Sequence, residues 1–269
     1  MRGAVFFETL RRSWQSMLWW GLGLGALAFL VIIIVPDVQV LEQMARMMET
    51  LPPILIQALG GGDIAYMATP EGYLSVQYFG FILLIFAVYA VISGLNVTAN
   101  DEERGTLDVV LSLPLPRERL VLEKFLAYAL LTVGIIAISF VCMWAAILLT
   151  PALAIDLNKL VIANINILPS TLLVLSVTIL LSSVLRRRSH TIALASAFVI
   201  ASYFLDTLGR AAPDTILEPL GYLSFFRYYD VVGIMQHGIT WSNVLLLLAA
   251  TAFFLATGVW FFRRRDVGL

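Results

Sequence analysis

The chain has 269 residues, a mean hydropathy of +0.92 and only 13% charged side chains. Soluble domains carry about a quarter charged residues, so the composition excludes an ordinary soluble protein and indicates a polytopic membrane protein. The net charge of −1 does not indicate nucleic-acid binding, and the single Cys142 excludes an internal disulfide.

A helix needs about 20 mostly apolar residues to cross the hydrocarbon core of a bilayer. The first such run continues to Val35, which is longer than the roughly 7–15 apolar residues of a signal peptide, so we read it as a retained span. Gly21 and Gly25 lie four residues apart in this span and predict a close helix contact. The sequence therefore predicts an all-α fold, a single domain over residues 1–269 with six transmembrane helices at about 15–35, 73–98, 122–150, 161–185, 189–206 and 241–262.

The basic residues predict the orientation of these spans. Six spans put both termini on one side, and thirteen of the seventeen Lys and Arg residues then share that side with the termini. The acidic residues divide eight to ten, so the bias is specific to basic residues, as the positive-inside rule requires. We expect the N- and C-termini to be cytoplasmic.

Two segments on the predicted outer side have their own pattern. Val38–Leu51 places apolar residues at helical spacing, which predicts an amphipathic helix. Residues 206–240 include the aromatic stretch YLSFFRYYD, which suits either the membrane interface or a short re-entrant piece buried against the other helices.

The sequence lacks the common motifs of catalysis and energy conversion. It contains no Gly-Lys-Ser/Thr phosphate-binding pattern, no His-Glu-x-x-His and no cysteine cluster, and its histidines, His190 and His237, stand apart. The predicted spans contain almost no ionisable side chains, which ion-coupled carriers generally need at membrane depth. We expect that the chain is not an enzyme, binds no metal or cofactor itself, and draws its energy from a partner.

One stretch, Ala99–Lys124, carries ten charged residues between the second and third spans. Thr106–Leu113 predicts a short helix that Pro114 ends. Leu107, Val110 and Leu111 form an apolar ridge on it. The charged rim of this ridge consists of Asp101, Glu102, Glu103 and Arg104 on one side and Arg117, Glu118 and Arg119 on the other. An apolar ridge with a charged rim fits a docking surface, and an ordinary solvated loop accounts for the same charges.

The stretch ERGTLDVVLSLPLPRERLVLEKFLA resembles the signature that follows the second span in permease subunits of type-two ATP-binding-cassette exporters. The matching residues are Asp101, Glu103, Gly105, Thr106, Leu107, Leu111, Pro114, Arg117 and Lys124. Two positions depart from the signature: Pro116 replaces a small polar residue, and Glu123 replaces the usual glycine before the lysine. Either departure could alter the angle of the loop.

The resemblance implies a permease with a coupling helix at residues 106–113 and an amphipathic connecting helix at Arg2–Trp14. It implies two copies of a separate ATPase, which bind ATP and Mg²⁺, and a second permease chain, either identical or a paralogue. It also implies a location among lipids in a prokaryotic plasma membrane, with no nucleic-acid partner. The expected cargo is a lipid, a drug-like molecule, a peptide or a polysaccharide precursor.

Two other functions remain open at this point. A membrane enzyme acting on lipids would use charged residues on the predicted outer side, of which five are candidates: Asp206, Arg210, Asp214, Arg227 and Asp230. Their spacing matches no known catalytic pattern. A scaffold or assembly subunit would need no catalytic or transport residues at all.

Overall fold

The computed structural model describes residues 3–34, 38–48, 50, 52, 66, 69–103, 116–150, 153, 155–185, 187–211 and 217–264. In chain order its helices are α1 (Ala4–Ile33), α2 (Val38–Met48), α3 (Pro70–Leu95), α4 (Ala99–Glu103), α5 (Arg117–Leu149), α6 (Leu157–Val184), α7 (Arg188–Ala211), α8 (Leu217–Gly221), α9 (Phe225–Tyr229), α10 (Val231–His237) and α11 (Trp241–Arg264). The part of the chain that the structure describes contains no strand.

Six of these helices are long and apolar enough to cross a membrane, namely α1, α3, α5, α6, α7 and α11. This confirms the predicted all-α, six-span architecture. The helix bounds differ from the predicted spans: α1, α3, α5, α6 and α7 begin earlier than predicted, and α1, α3, α5 and α6 also end earlier. α7 ends later than predicted and continues through Asp206 to Ala211, because Arg210 lies one turn further on and pairs with the Asp206 carboxylate.

The predicted connecting helix and the first span form one continuous helix. α1 begins at Ala4 and continues without a break to Ile33. Its 30 residues span about 45 Å, which exceeds the roughly 30 Å of bilayer hydrocarbon. The first turns, with the exposed ion pair between Glu8 and Arg11, therefore extend beyond the hydrocarbon.

α6 is the central helix of the bundle. Its residues Leu173–Ile179 are buried on every face, and the helix contacts α3, α5, α7 and α11. Small residues allow these close contacts. A Cβ added at Gly94 in α3 would lie 2.6 Å from Thr178 Cβ, and one added at Gly258 in α11 would lie 3.1 Å from Leu180 Cα.

The aromatic segment after α7 forms α8, α9 and α10. Phe225, Phe226, Tyr229, Ile234 and Met235 are all buried, and these helices pack on α6, α7 and α11. The part of the segment from Phe225 to Met235 is thus packed against the bundle, whereas Tyr222 and Leu223 are exposed.

α1 and α5 run parallel along much of their length. Three pairs of residues show this: Met17 contacts Gly134, Gly21 contacts Ile138 and Gly25 contacts Cys142. The partners in each pair are 117 positions apart, and a constant separation is what two parallel helices give. A Cβ added at Gly21 would lie 2.8 Å from Ile138 Cβ, and one added at Gly25 would lie 2.7 Å from Cys142 Cβ. The two glycines selected from the sequence therefore lie at close contacts of this helix pair.

Gly25→Val should destabilise this helix pair, because the added side chain has no space beside Cys142. We expect a loss of about 1–3 kcal/mol, typical of an overpacked contact, measured as a lower thermal unfolding midpoint of the purified chain in detergent. Gly23→Val is the matched control, because an added Cβ at Gly23 meets nothing within 4 Å. Equal shifts for the two variants would contradict close packing at Gly25.

Candidate functional site

Most of the predicted docking segment lies outside the described residues. This applies to Arg104, Gly105, Thr106, Leu107, Val110, Leu111 and Pro114. The structure describes what flanks them. Asp101, Glu102 and Glu103 lie on α4, and Arg117 begins α5. The coupling helix itself stays a prediction. The described helices on either side of it in the chain are α4 and α5.

Lys124, in the second turn of α5, binds the end of α3. Its Nζ donates hydrogen bonds to the carbonyl oxygens of Asn96 at 3.1 Å and Val97 at 2.9 Å. The last carbonyls of a helix have no partners within that helix and carry partial negative charge, so a buried cation is favourable there. Lys124 is only 9% exposed. It therefore fixes the end of α3 to the start of α5.

Glu123, the neighbour of Lys124, binds the start of α1. Its carboxylate accepts hydrogen bonds from the backbone N–H groups of Gly3 at 3.1 Å, Val5 at 3.2 Å and Phe6 at 3.2 Å. Gly3 is the N-cap residue of α1 and has no side chain to cap the helix, so Glu123 supplies that cap from α5. Arg119 Nε lies 2.7 Å from Glu123 Oε1 and orients the carboxylate.

Together Glu123 and Lys124 form a junction of three helices. The negative Glu123 binds the N-terminus of α1, and the positive Lys124 binds the C-terminal end of α3. The helix dipole favours a negative charge at an N-terminus and a positive charge at a C-terminus. We call these two residues and the backbone groups that they bind the capped junction. Residues 104–115 lie in the chain between α4 and α5, the elements on either side of this junction.

Further contacts gather the other helix ends around the capped junction. Thr98 Oγ1 donates to Ser182 Oγ at 2.7 Å, which links the chain between α3 and α4 to α6. Glu103 pairs with Arg188 at the start of α7 at 3.5 Å, and Glu118 pairs with Arg263 at the end of α11 at 3.2 Å. The last two pairs are exposed and contribute little energy, but they show that the basic ends of α7 and α11 lie at the same end of the bundle.

Glu123→Ala should lower the stability of the chain, because three N–H groups of α1 lose their acceptor. We expect a cost of about 1–3 kcal/mol, measured as a lower thermal unfolding midpoint in detergent. Glu118→Ala is the control, since it removes a carboxylate from the same helix whose partner, Arg263, is 63% exposed. If Glu118→Ala destabilised the chain as much, the cap at Glu123 would not be structural.

A cavity of about 330 Å³ lies at the opposite end of the bundle, between α3, α7 and the α9–α10 segment. Asp206 and Arg210 line it as an ion pair in which Arg210 Nε is 3.0 Å from both carboxylate oxygens. Asp230 lines the same cavity. Of the other charges once considered for a lipid enzyme, Arg227 lies over the Tyr222 ring at 5.0 Å, and Asp214 is outside the described residues.

The described residues contain no group of three or more His, Cys, Asp or Glu side chains able to hold a metal ion. The sequence does not predict the capped junction, whereas three of the five charged residues considered for a lipid enzyme, Asp206, Arg210 and Asp230, do line the cavity. Glu123 was marked only as a departure from a signature, and its partners lie about 120 positions away. The adjacent opposite charges at the start of an otherwise apolar helix are the signal that could have indicated its role.

Six membrane-length helices, two of which have basic ends that lie at the same end of the bundle, define a multi-pass membrane protein. The sequence model of one protein family, described as ABC-2 family transporter protein, matches residues 15–267. The chain belongs to this family and is a membrane permease subunit of an ABC transporter. Permeases of this family normally work with ABC ATPase subunits. A search among curated proteins found no match to this chain.

Proposed function

We propose that this chain is an export permease whose capped junction passes motion from an ATPase to the membrane helices. The capped junction is the observation that carries the proposal, because Glu123 and Lys124 join α1, α3 and α5 close in the chain to residues 104–115. A force on residues 104–115 would act on all three helices at once. Unanchored helix ends would absorb the same force locally.

The capped junction is proposed to face the cytoplasm. The contacts of Glu103 with Arg188 and of Glu118 with Arg263 support this, because they gather basic segments at that end. The positive-inside rule favours the cytoplasm for such an end. The ATPase would then dock from the cytoplasm on the ridge of Leu107, Val110 and Leu111. The permease itself would lie in the plasma membrane of a prokaryote.

The complete transporter is proposed to contain two ATPase copies and a second permease chain, identical or paralogous. ATP and Mg²⁺ would bind to the ATPases. The chain would pass its cargo outward, with a lipid, a drug-like molecule, a peptide or a polysaccharide precursor as the candidate classes. The family supports the partnership with an ATPase, and the remaining features are part of the proposal.

The partnership is tested by co-expressing the chain with ATPases encoded beside its gene and purifying through a tag on the permease. The expected result is a complex that hydrolyses ATP and contains equal numbers of ATPase and permease chains by native mass spectrometry. A permease that never retains an ATPase, and whose preparations never hydrolyse ATP above a tag-only control, would contradict the proposal.

Leu107→Asp should break the docking ridge, since it places a charge where an apolar contact is expected. We expect at least a tenfold loss of ATPase retention in the same pull-down, which corresponds to about 1.4 kcal/mol. Ser112→Asp is the control, because helical spacing puts Ser112 on the face away from the ridge. If both variants retained the ATPase equally, the ridge would not be the docking surface.

A further inference from the structure

The cavity between α3, α7 and the α9–α10 segment has the composition of a ligand site. Tyr203, Phe226 and Tyr229 contribute to its lining together with the charged residues Asp206, Arg210 and Asp230. Its volume of about 330 Å³ is at the small end of ligand pockets, which measure about 300–1,000 Å³. Such a space accepts a head group and the first part of an apolar chain.

The charges of the cavity favour a cation. Arg210 is already bound to Asp206, with its Nε at 3.0 Å from both oxygens, so this pair is close to neutral. Asp230 adds a second carboxylate, which accepts a long hydrogen bond of 3.4 Å from the Gly233 N–H. With two carboxylates and one guanidinium, the lining has a net negative charge.

The local backbone keeps the Asp230 carboxylate in its position. Asp230 has a φ of 26°, a left-handed value that side chains other than glycine rarely adopt. A Cβ at Gly233 would clash with Asp230 Oδ2, so a larger residue there would displace the carboxylate from this position. The preceding residue is held as well, because Asn166 of α6 donates a hydrogen bond to the Tyr229 carbonyl oxygen.

The exposed lining residues of the cavity are Gln77, Gly80 and Phe81, of which Phe81 is the large apolar one. Phe81 lines the cavity and is 49% exposed, and the neighbouring Gly80 is exposed too. Both follow a π-helical turn, Ser75–Phe79, whose first residues also line the cavity. π-helical turns inside α-helices occur frequently at functional sites. An alkyl chain could leave the cavity along Phe81 into lipid.

We propose that this cavity binds the ammonium group of a cationic amphiphile. The head group contacts Asp230 and the aromatic rings of the lining, and the alkyl chain is directed past Phe81. Ammonium groups bind favourably over aromatic rings and beside carboxylates. This inference rests on the proposed function, because a ligand held by an export permease is a substrate. It narrows the candidate cargo to molecules that carry an amine or quaternary ammonium group.

The test uses the full-length chain in dodecyl maltoside, a detergent without charge or amine groups. Binding of radiolabelled decyltrimethylammonium is measured by equilibrium dialysis below its own micelle concentration, after subtraction of binding to empty micelles. The expected result is saturable binding that decanoate, an anion of the same chain length, fails to displace at a tenfold excess. Absence of saturable binding, or displacement by decanoate, would overturn the proposal.

Asp230→Asn should weaken this binding about tenfold, because it removes the charge while an asparagine can still cap α10. Asp156→Asn is the matched control. Asp156 caps α6 through the Asn158 N–H at 2.9 Å and is not part of the cavity lining. Equal binding by the Asp230→Asn and Asp156→Asn variants would overturn the proposal even if the unaltered chain bound the probe.

Added phosphatidylethanolamine identifies the source of the ammonium group. If phosphatidylethanolamine displaces decyltrimethylammonium, the result supports the proposal with a lipid head group as the ligand. If decyltrimethylammonium binds saturably and the lipid does not displace it, the result supports the proposal with a free amphiphile as the ligand. These measurements need no ATPase, so their failure is distinguishable from failure of the proposed function, which the pull-down tests separately.

Discussion

Backbone groups at the end of a membrane helix must find partners within the protein wherever water is excluded, and this requirement determines how the bundle is joined at one end. Glu123 and Lys124 meet it for two helices from adjacent positions on a third. A carboxylate at an N-terminus and an ammonium at a C-terminus are each favourable with the helix dipole. The same contacts that satisfy the backbone therefore also connect α1, α3 and α5.

Many polar side chains of the central helix α6 bind carbonyl groups of the same helix. The hydroxyls of Thr171, Thr178 and Ser183 each donate to a carbonyl four residues earlier at 2.8 Å. Its side-chain bonds to other elements include Ser182 with Thr98 near the capped junction and Asn166 with Tyr229 beside the cavity. α6 thus links the proposed coupling end to the proposed ligand site.

The sequence predicted the parts of the fold that depend on local properties. Hydropathy predicted six spans, and the spacing of Gly21 and Gly25 selected two residues that the structure places against α5. The end of the fifth span was placed at Asp206, because single-residue hydropathy does not anticipate that Arg210 neutralises it one turn later.

The sites depend on contacts that are distant in the sequence. Glu123 meets Gly3 across 120 positions, and the cavity combines residues from α3, α7 and the α9–α10 segment. No local pattern specifies such meetings. The signature around Gly105 and Thr106 predicts a docking site for an ATPase, but it does not predict that Glu123 and Lys124 join three helices.

The central claim is that the helices joined at the capped junction move as one body. Spin labels at Glu8 on α1 and at the exposed Ile92 on α3, in a chain whose Cys142 is replaced by serine, measure this within the assembled transporter. The account predicts that ATP trapping leaves their separation unchanged within about 2 Å, the size of an ordinary helix shift. A change of about 5 Å or more would show that the helices move independently and would contradict it.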